Sequence, residues 1–532
     1  MQQVRIVYLA ALVFLAAGCK KFVDVNNNPN NGVSTQSQFV MTGALGTTYR
    51  NQVSPNVHII PGTWVGNYAH STQFTGGGPE KTYDFTNADF DAFDPLFDNI
   101  ADYEYVIKNA DKDGVSFWKD PANVMECYVY QELVDLYGDV PYEQAFKGIE
   151  NITPAYTDQK VIYEDLVVRL DSAMARMQRT VWPTASDRTV QDIYFQGNRD
   201  SWIRFANTLK LRILMRQSFM PGRDGYITTN INNTLSNGYI ISNVLVTPNY
   251  QTIGGKLNPF YATYGYNELN NVQTNHQYRK VGAPIINWLK NSITTNAQPQ
   301  GSGSPAATVN ADTFRLQSLA WPRGSSPQAV SSNLNNYVGV PLGAGAGYGN
   351  TGASPIGPFQ IQTPFGTRPG MLMLLAESWF LQAEASFRYG ITFSLGNAQA
   401  LYQEGILAHF RTCAAPSTAG NVSNQGDAYA MRYIARPIEN INWASSTDKI
   451  KAILIQKWVS LVHINGLESW SEYRKSSGSP SVGIPISPKT IATVSHPEPV
   501  RYLYPQSELD ANANNVPKNI DRFTSKIFWD VN

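Results

Sequence analysis

The chain has 532 residues, of which 42% are hydrophobic and 15% charged, and its formal net charge is zero. A chain of this length can bury a large core, and its charged fraction lies below the ~25% usual in globular proteins. A neutral protein has no long-range field to attract nucleic acid or an anionic lipid surface, which argues against both as partners. A surface rich in amides, hydroxyls and tyrosines instead favours uncharged polar ligands.

The start of the chain predicts a lipoprotein export signal. Arg5 precedes an apolar run over residues 6–17, and small residues then lead into Cys19. At 1.5 Å per residue the run spans about 18 Å, too short for the ~30 Å hydrocarbon core of a bilayer. We expect residues 1–18 to be a signal peptide, Cys19 to carry lipid, and residues 19–35 to form a tether. An ordinary signal peptide with Cys19 as a bystander is the alternative.

Amphipathic helices are predicted along most of the remaining chain. In eight segments apolar residues recur every three or four positions, which is the spacing of one helix face. Helices of this kind, joined by turns, stack in pairs into tetratricopeptide-like arrays, although the strict repeat signature is absent here. The sequence therefore predicts a mainly α fold. The predicted helices cover residues 38–52, 90–110, 121–137, 158–177, 202–219, 371–389, 398–410 and 449–464.

The segment 226–370 differs from its surroundings. It is rich in Gly, Asn, Pro, Ser and Tyr, and it lacks helical spacing except at residues 284–291. A long irregular segment inside a compact protein is usually functional or disordered. Because helices resume from Gly370, we interpret it as a loop-rich insertion in a single domain of residues 36–532.

Cysteine and histidine usage predicts neither a metal site nor a cofactor site. Cys127 and Cys413 are interpreted as separate buried thiols, although pairing in an oxidising compartment stays open. The chain has no CxxC motif, and its six histidines show no ligand spacing. Calcium binding by the Asn- and Asp-rich loops also stays open, but no EF-hand spacing supports it.

Five segments, taken in chain order, resemble motifs of a known family. Together with the Cys19 signal they resemble the SusD/RagB-like family of outer-membrane nutrient-binding lipoproteins. The segments are Asp-Leu-Tyr-Gly-Asp-Val-Pro-Tyr at 135–142, Phe-Ala-Asn-Thr-Leu-Lys-Leu-Arg at 205–212, Glu377 with Ala-Glu-Ala at 383–385, Gln-Lys-Trp at 456–458 with Gly-Leu-Glu-Ser-Trp at 466–470 and Tyr-Arg at 473–474, and Arg-Tyr-Leu-Tyr-Pro at 501–505 with Glu508 and Asn515.

The resemblance implies a SusD-like helical scaffold with four degenerate tetratricopeptide-like helix pairs and a variable, loop-rich region. It also implies attachment to the outer membrane of a Bacteroidetes-type bacterium, facing the cell exterior, beside a SusC-like TonB-dependent β-barrel transporter. The expected function is capture of a nutrient, a glycan before a peptide, for delivery to that transporter, without catalysis. The motif residues themselves are interpreted as structural: Asp139 would bond backbone amides, and Arg212, Arg474 and Arg501 would fix helix ends and carboxylates.

Two aromatic clusters in loop-like segments are the predicted ligand contacts. Flat rings beside amides and hydroxyls suit sugars and peptides, although an aromatic residue is more often part of the core. The family's binding positions carry no motif, so this prediction depends on loop context alone. The first cluster is Trp64, Asn67, Tyr68 and Tyr83, with His70 and Phe74; the second is Tyr264, Tyr266, Trp321 and Arg323, with Tyr261, Asn267, Asn270 and Tyr337.

Two other classes of function stay as alternatives. A glycoside hydrolase needs two carboxylates, and Glu80 with Asp84 or Asp91 would be a candidate pair. The chain has no Gly-x-Ser-x-Gly elbow, His-Glu-x-x-His motif or phosphate loop, which argues against catalysis. A purely structural envelope lipoprotein would have neither an aromatic-lined groove nor a barrel partner.

Overall fold

A computed structural model of the protein describes residues 35–74, 78–182, 191–290, 312–324, 330–361, 365–414, 422–476 and 498–531. Cys19 and the predicted signal and tether up to residue 34 lie outside these ranges. Within them the chain forms eighteen α-helices and three two-stranded antiparallel sheets, which confirms the predicted mainly α fold. No helix in the described ranges combines the length and apolar character needed to span a bilayer.

The helices are α1 Ser37–Gln52, α2 Ile60–Trp64, α3 Gly78–Thr82, α4 Phe93–Asn109, α5 Lys119–Tyr137, α6 Gln159–Arg179, α7 Arg199–Arg216, α8 Asp224–Thr234, α9 Pro259–Tyr264, α10 Thr274–Tyr278, α11 Ala283–Leu289, α12 Thr313–Leu319, α13 Leu375–Tyr389, α14 Ala398–Ala414, α15 Val422–Ile434, α16 Lys449–Leu461, α17 Gly466–Lys475 and α18 Gln506–Ala511. The strands are β1 Tyr68–His70, β2 Val140–Pro141, β3 Tyr156–Thr157, β4 Val244–Val246, β5 Arg279–Val281 and β6 Gly370–Met373.

Each of the eight predicted long helices is present, with ends that local capping decides. Helix α7 begins at Arg199 rather than at residue 202, because the Asn198 side chain accepts a hydrogen bond from the backbone N–H of Ser201. Helix α6 begins directly after Asp158, whose carboxylate accepts the N–H groups of Lys160 and Val161. Among the helices of ten or more residues, α8, α15 and α17 are not predicted by the sequence.

Two groups of helices pack against each other. In the first, α1, α4, α5, α6 and α7 each pack on the next. In the second, α13 packs on α14 and α16, and α14 packs on α15. Contacts between α7 and α13 join the groups, and α17 lies against α2, α5, α7 and α16. One hydrophobic cluster therefore extends through both groups.

Short sheets fasten the loop-rich region to this scaffold. Strand β1 pairs with β5, so that Tyr68 lies opposite Val281 and His70 opposite Arg279. Strand β4 pairs with β6 just before α13 begins. The described part of the region predicted to be irregular thus contains the four short helices α9 to α12, most of α8 and parts of two sheets, and residues distant in sequence meet there.

The two cysteines of the described residues are free and buried, in α5 and α14 respectively. Burial raises the pKa of the Cys127 and Cys413 thiols to about 12. Both therefore remain protonated at neutral pH and act as small apolar side chains in the core.

A buried ion network joins five helices at the centre of the protein. Arg212 binds Glu377 at 2.7 Å, Arg216 binds Glu472 at 2.9 Å, and Lys475 bridges Glu472 and Glu384 at 3.0 and 2.9 Å. Apart from the edge residue Arg388, whose side chain is 19% exposed, every side chain in the network is at most 2% exposed. The buried ion network comprises Asp135 of α5, Arg212 and Arg216 of α7, Glu377, Glu384 and Arg388 of α13, Lys457 of α16, and Glu468, Glu472 and Lys475 of α17.

The contacts of the motif residues confirm their structural interpretation. Arg474 donates to the carbonyls of Asp135 and Val500, each at 2.8 Å, and its guanidinium lies 3.6 Å from the centre of the Trp470 ring. Asp139 accepts the backbone N–H of Gln159, which opens α6, at 3.0 Å. The carboxylate thus caps the next helix rather than its own turn.

We expect Arg216→Met to destabilise the protein strongly. The substitution leaves Glu468 and Glu472 buried with fewer cations, and breaking a buried ion pair typically costs ~3–5 kcal/mol. Urea denaturation of the full chain measures the loss. The matched control is Arg199→Met on the same helix. It removes a solvent-exposed pair with Asp200 at 3.2 Å, and it should lower the free energy of unfolding by less than ~1 kcal/mol. Equal losses for the two variants would contradict the argument.

Glu132 of α5 predicts a dependence of stability on pH. The residue is 2% exposed, and within the described residues neither carboxylate oxygen has a hydrogen-bond partner. Burial raises the pKa from 4.5 to about 8, against the opposing charge of Arg212. Between those values the unfolded chain releases this proton while the folded chain retains it, so the residue favours unfolding increasingly as pH rises.

Glu132→Gln keeps the shape of the protonated acid and cannot ionise. Relative to the unsubstituted chain, its melting temperature should therefore rise progressively from pH 5 to pH 8. Thermal unfolding at pH 5, 6.5 and 8 checks this. A difference that stays constant over the range would rule out ionisation of Glu132 as its cause.

Candidate ligand-binding surface

The first predicted aromatic cluster lies in the core. Trp64, Asn67, Tyr68 and Tyr83 are each at most 3% exposed. The Trp64 ring stacks on Phe85 with centroids 5.6 Å apart, and its indole N–H donates to the carbonyl of Glu80 at 3.0 Å. Side chains so enclosed present no face to a ligand. The structure therefore corrects these four assignments from ligand contacts to core residues.

Tyr68 and Asn67 instead connect the N-terminal part of the chain to α17 and to the residues just before that helix. The Tyr68 hydroxyl lies 2.7 Å from Nε2 of His58 and 2.8 Å from Nδ1 of His463. Burial lowers the pKa of His58 to about 3 and that of His463 to about 4, so both rings are neutral at physiological pH. Asn67 donates to the Ser469 hydroxyl at 3.3 Å. These contacts are structural.

The second predicted cluster is also mostly buried. Tyr264, Tyr266 and Trp321 are 1%, 4% and 6% exposed. Tyr264 donates to the carbonyl of Val53 at 3.1 Å, and the Trp321 indole donates to the carbonyl of Ile361 at 3.2 Å. These three assignments are likewise corrected, because the irregular segments fold inward around their rings. Arg323 alone among the eight predicted contacts is exposed.

A different set of aromatic residues lies at the surface where three loops meet. The adjacent amides of Ser71 and Thr72 donate to the carbonyls of Tyr278 and Tyr348, at 2.8 and 2.9 Å respectively. The ring of Phe74 meets that of Tyr278 edge-on, with centroids 5.4 Å apart. All three rings are partly exposed. We name Phe74, Tyr278 and Tyr348, with the neighbouring amides Gln73 and Asn350, the aromatic loop surface.

The amides of this surface are held in fixed positions. The Gln73 side-chain carbonyl accepts the backbone N–H of Asn350 at 3.0 Å. The Asn350 side-chain carbonyl accepts a hydrogen bond from the Lys280 ammonium at 2.9 Å. Lys280 itself is 1% exposed, and burial lowers its pKa to about 8. The loops are thus fastened to strand β5 rather than free.

A buried charged group supports Tyr278 from below. The Arg279 guanidinium donates to Glu80 Oε1 at 2.7 Å, and His70 is hydrogen-bonded to the same oxygen. Arg279 also lies 4.7 Å from the centre of the Tyr278 ring, and the His70 ring lies 4.8 Å from it. Burial would raise the pKa of Glu80, but the hydrogen bond with His70 and the charge of Arg279 outweigh it and hold the pKa at about 2. Glu80 therefore remains ionised and anchors both partners.

Sequence reasoning identified only part of this surface. Phe74 was named beside the first cluster, whereas Tyr278 and Tyr348 were missed. A tyrosine followed by Arg-Lys, and a tyrosine within a Gly-rich stretch, were the available signals. Neither reveals that strand pairing brings the two beside residues 71–74. Within the described residues, no three His, Cys, Asp or Glu side chains are grouped as ligands for a metal.

Two family sequence models match the chain. One, described as "Starch-binding associating with outer membrane", matches residues 29–293. The other, described as "Susd and RagB outer membrane lipoprotein", matches residues 322–530. The chain therefore belongs to the SusD/RagB family, as its motifs predicted. No curated protein sequence matches it at a significant level.

Solved structures share the fold. A SusD homolog from Bacteroides fragilis is 18% identical with a TM-score of 0.70, and the match covers 93% of this chain and 100% of the other. A chitin-binding SusD homolog from Flavobacterium johnsoniae is 20% identical with a TM-score of 0.69, covering 92% and 99% of the two chains. A SusD/RagB family protein from Bacteroides thetaiotaomicron is 18% identical with a TM-score of 0.69, covering 94% and 99%.

Because Glu80 is ionised in the folded protein, we expect its contribution to the free energy of unfolding to depend on pH in the acid range. Because its folded pKa of about 2 lies below the ordinary 4.5, Glu80 stabilises the protein above about pH 4.5, and this contribution is lost as pH falls towards 2. Glu80→Gln should therefore melt at a lower temperature than the unsubstituted chain at pH 7, with a smaller gap at pH 3.

The control for that measurement is Asp84→Asn. Asp84 is exposed and pairs with Arg522 at 3.0 Å, so its removal should change the melting temperature little at either pH. If Glu80→Gln also left the pH 7 melting temperature unchanged, the anchoring role assigned to Glu80 would be wrong.

Proposed function

We propose that this protein captures a glycan at the aromatic loop surface and delivers it to a SusC-like TonB-dependent barrel. The observation that carries the proposal is the arrangement of three partly exposed rings beside fixed side-chain amides. Rings present flat apolar faces at low entropic cost, and amides exchange hydrogen bonds with sugar hydroxyls. This combination suits an uncharged, ring-shaped ligand.

Electrostatics supports a neutral ligand at this surface. Arg279 lies against Glu80, and Lys280 is directed to an amide rather than towards solvent. Arg279 and Lys280 are therefore already engaged. Among the relatives, the Flavobacterium johnsoniae protein binds chitin, a neutral polysaccharide. A glycan is for these reasons preferred to a peptide as the first ligand to examine.

The positions of the candidate carboxylates favour binding over hydrolysis. Glu80 is 5% exposed and bonded to Arg279, while Asp84 pairs with Arg522 on the surface. A glycosidase needs one carboxyl as a proton donor and another facing the sugar. Glu80, held ionised at a pKa of about 2, is unsuited to donate a proton at neutral pH.

The proposed location is the outer face of the outer membrane, with lipid on Cys19 as the anchor. Support comes from the small residues that precede Cys19 and from the family description as outer-membrane lipoproteins. The Asn-rich tether up to residue 35 would link the anchor to α1. The barrel partner would receive ligand from the loops. Arg323, exposed near the second predicted cluster, remains a proposed additional ligand contact.

A binding screen tests the proposal directly. Full-length protein in detergent is titrated with chitin, starch and other neutral oligosaccharides and with oligopeptides, and products are examined for cleavage. We expect one saccharide class to bind intact, and Tyr278→Ala and Phe74→Ala each to weaken binding about fivefold, since stacking on one ring contributes roughly 1 kcal/mol.

The matched control is Phe387→Ala, an exposed aromatic residue of α13 that lies outside the surface. Trp64→Ala is unsuitable as a binding probe, because it removes a core ring and should destabilise the fold. Cleaved saccharide would identify an enzyme, and binding only of peptides would replace the glycan. Binding unaffected by both loop substitutions would place the site elsewhere.

A further inference from the structure

A cleft lies on the helical scaffold and shares no residue with the aromatic loop surface. It has a volume of about 380 Å³, within the ~300–1,000 Å³ range of ligand pockets. Its walls come from α7, from the segment that follows α8, from α13 and from residues 392–394. We call it the helical cleft and define it by Arg204, Tyr239, Ile241, Trp379, Gln382 and Phe393.

The walls of the helical cleft are braced by the motif helix α7. Asn207 donates to the carbonyls of Thr234 and Gly238, at 3.0 and 2.8 Å. The Thr208 hydroxyl accepts the backbone N–H of Ile240 at 3.0 Å. Gly238 has φ +70°, a conformation that glycine adopts without strain, and it turns the chain so that the segment lies along Arg204. The wall that carries Tyr239 is therefore fixed before any ligand arrives.

Aromatic faces line the cleft from both sides. The partly exposed ring of Tyr239 rests on Phe393, which is buried at 4% exposure, with the ring centroids 5.5 Å apart at an angle of 62°. Trp379 is partly exposed on the opposing helix α13. Ile241, 69% exposed, adds an apolar edge. The cleft thus offers flat apolar surfaces of the kind on which ring-shaped ligands pack.

Three polar groups of the cleft have no partner among the described residues. Oε1 of Gln382 accepts no hydrogen bond although the side chain is 1% exposed, while its amide nitrogen donates to the carbonyl of Ser378 at 3.2 Å. A buried acceptor left unpaired costs free energy that a ligand donor would recover. Arg204 and Trp379 are partly exposed, and within the described residues neither the guanidinium nor the indole N–H has a protein partner.

We propose that the helical cleft binds a saccharide unit that carries a carboxylate, that is, a uronic acid residue. The unpaired Arg204 supplies a planar donor for the carboxylate. Gln382 and Trp379 supply one acceptor and one donor for ring hydroxyls, and the aromatic rings pack on the sugar face. Hydroxyls of Ser236, Thr392 and Ser394 line the same cleft. This inference stands independently of the function proposed for the loops.

Calorimetry with full-length protein in detergent tests the proposal. The probes are an oligoglucuronate, a glucose oligosaccharide of equal length, and a peptide with a free C-terminal carboxylate. We expect the oligoglucuronate to bind at least tenfold more tightly than the neutral oligosaccharide, and added salt to reduce that preference. Arg204→Gln should abolish the preference, and Trp379→Leu should weaken binding of the oligoglucuronate.

Two controls isolate the cleft. Arg199→Gln removes another arginine of α7, one that pairs with Asp200 outside the cleft, and should leave the preference intact. Phe387→Ala removes an exposed ring of α13 that lies outside both the cleft and the aromatic loop surface, and it should also leave the preference intact. A preference lost in Arg204→Gln and kept in this variant is therefore assigned to the cleft. The proposal is overturned if the acidic and neutral saccharides bind equally, if neither binds, if the peptide binds more tightly, or if Arg204→Gln binds like the unsubstituted chain.

Discussion

The buried ion network is the interaction on which the rest of the fold depends. Its carboxylates and cations come from helices that are far apart in sequence, from Asp135 to Lys475. Without these ion pairs, apolar packing alone would allow those helices more than one relative position. Apolar side chains tolerate a shift along a helix, whereas a buried carboxylate without its cation is strongly unfavourable. The network therefore selects one arrangement of α5, α7, α13, α16 and α17. It also explains why Arg212, Glu377 and Glu468 stand in the motifs that resemble the family: the motifs specify a scaffold, not a ligand.

A smaller buried ion pair, also one that fixes a position in the fold, lies under the aromatic loop surface. Glu80 holds Arg279, Arg279 lies against the Tyr278 ring, and strand pairing fixes β5 to β1. A loop built in this way presents its rings without much freedom, which limits the entropy lost when a ligand packs on them. The loop-rich region can thus vary in sequence at its outer residues while its inner residues keep its position. This division between a fixed scaffold and presented side chains is what a binding function requires.

Helical spacing was sufficient to predict the long helices, but it missed α17 for a physical reason. All ten of its residues are buried, Glu468, Glu472 and Lys475 among them, so the spacing of its few apolar residues does not separate a buried face from an exposed one. The candidate ligand residues were misplaced for a related reason. Loop-like composition indicates exposed side chains, yet short helices such as α9 turn Tyr264 inward. The exposure of Tyr278 and Tyr348 depends on contacts between residues about 200 to 280 positions apart, which no local pattern encodes.

The two candidate sites differ in whether their cations are already paired, and this difference follows from the residues that surround each cation. At the aromatic loop surface Arg279 and Lys280 already have acceptors, which leaves amides and rings to select a ligand. In the helical cleft the side chains of the motif residues Asn207 and Thr208 form hydrogen bonds with the backbone of residues 234–240. Arg204, one turn earlier on α7, has no ion pair among the described residues. A free guanidinium beside aromatic rings discriminates by charge, while neutral amides discriminate by shape and hydroxyl position. One scaffold could therefore hold neutral and acidic units of a single mixed glycan at separate places, because the helix that organises the core also fixes the wall of the cleft.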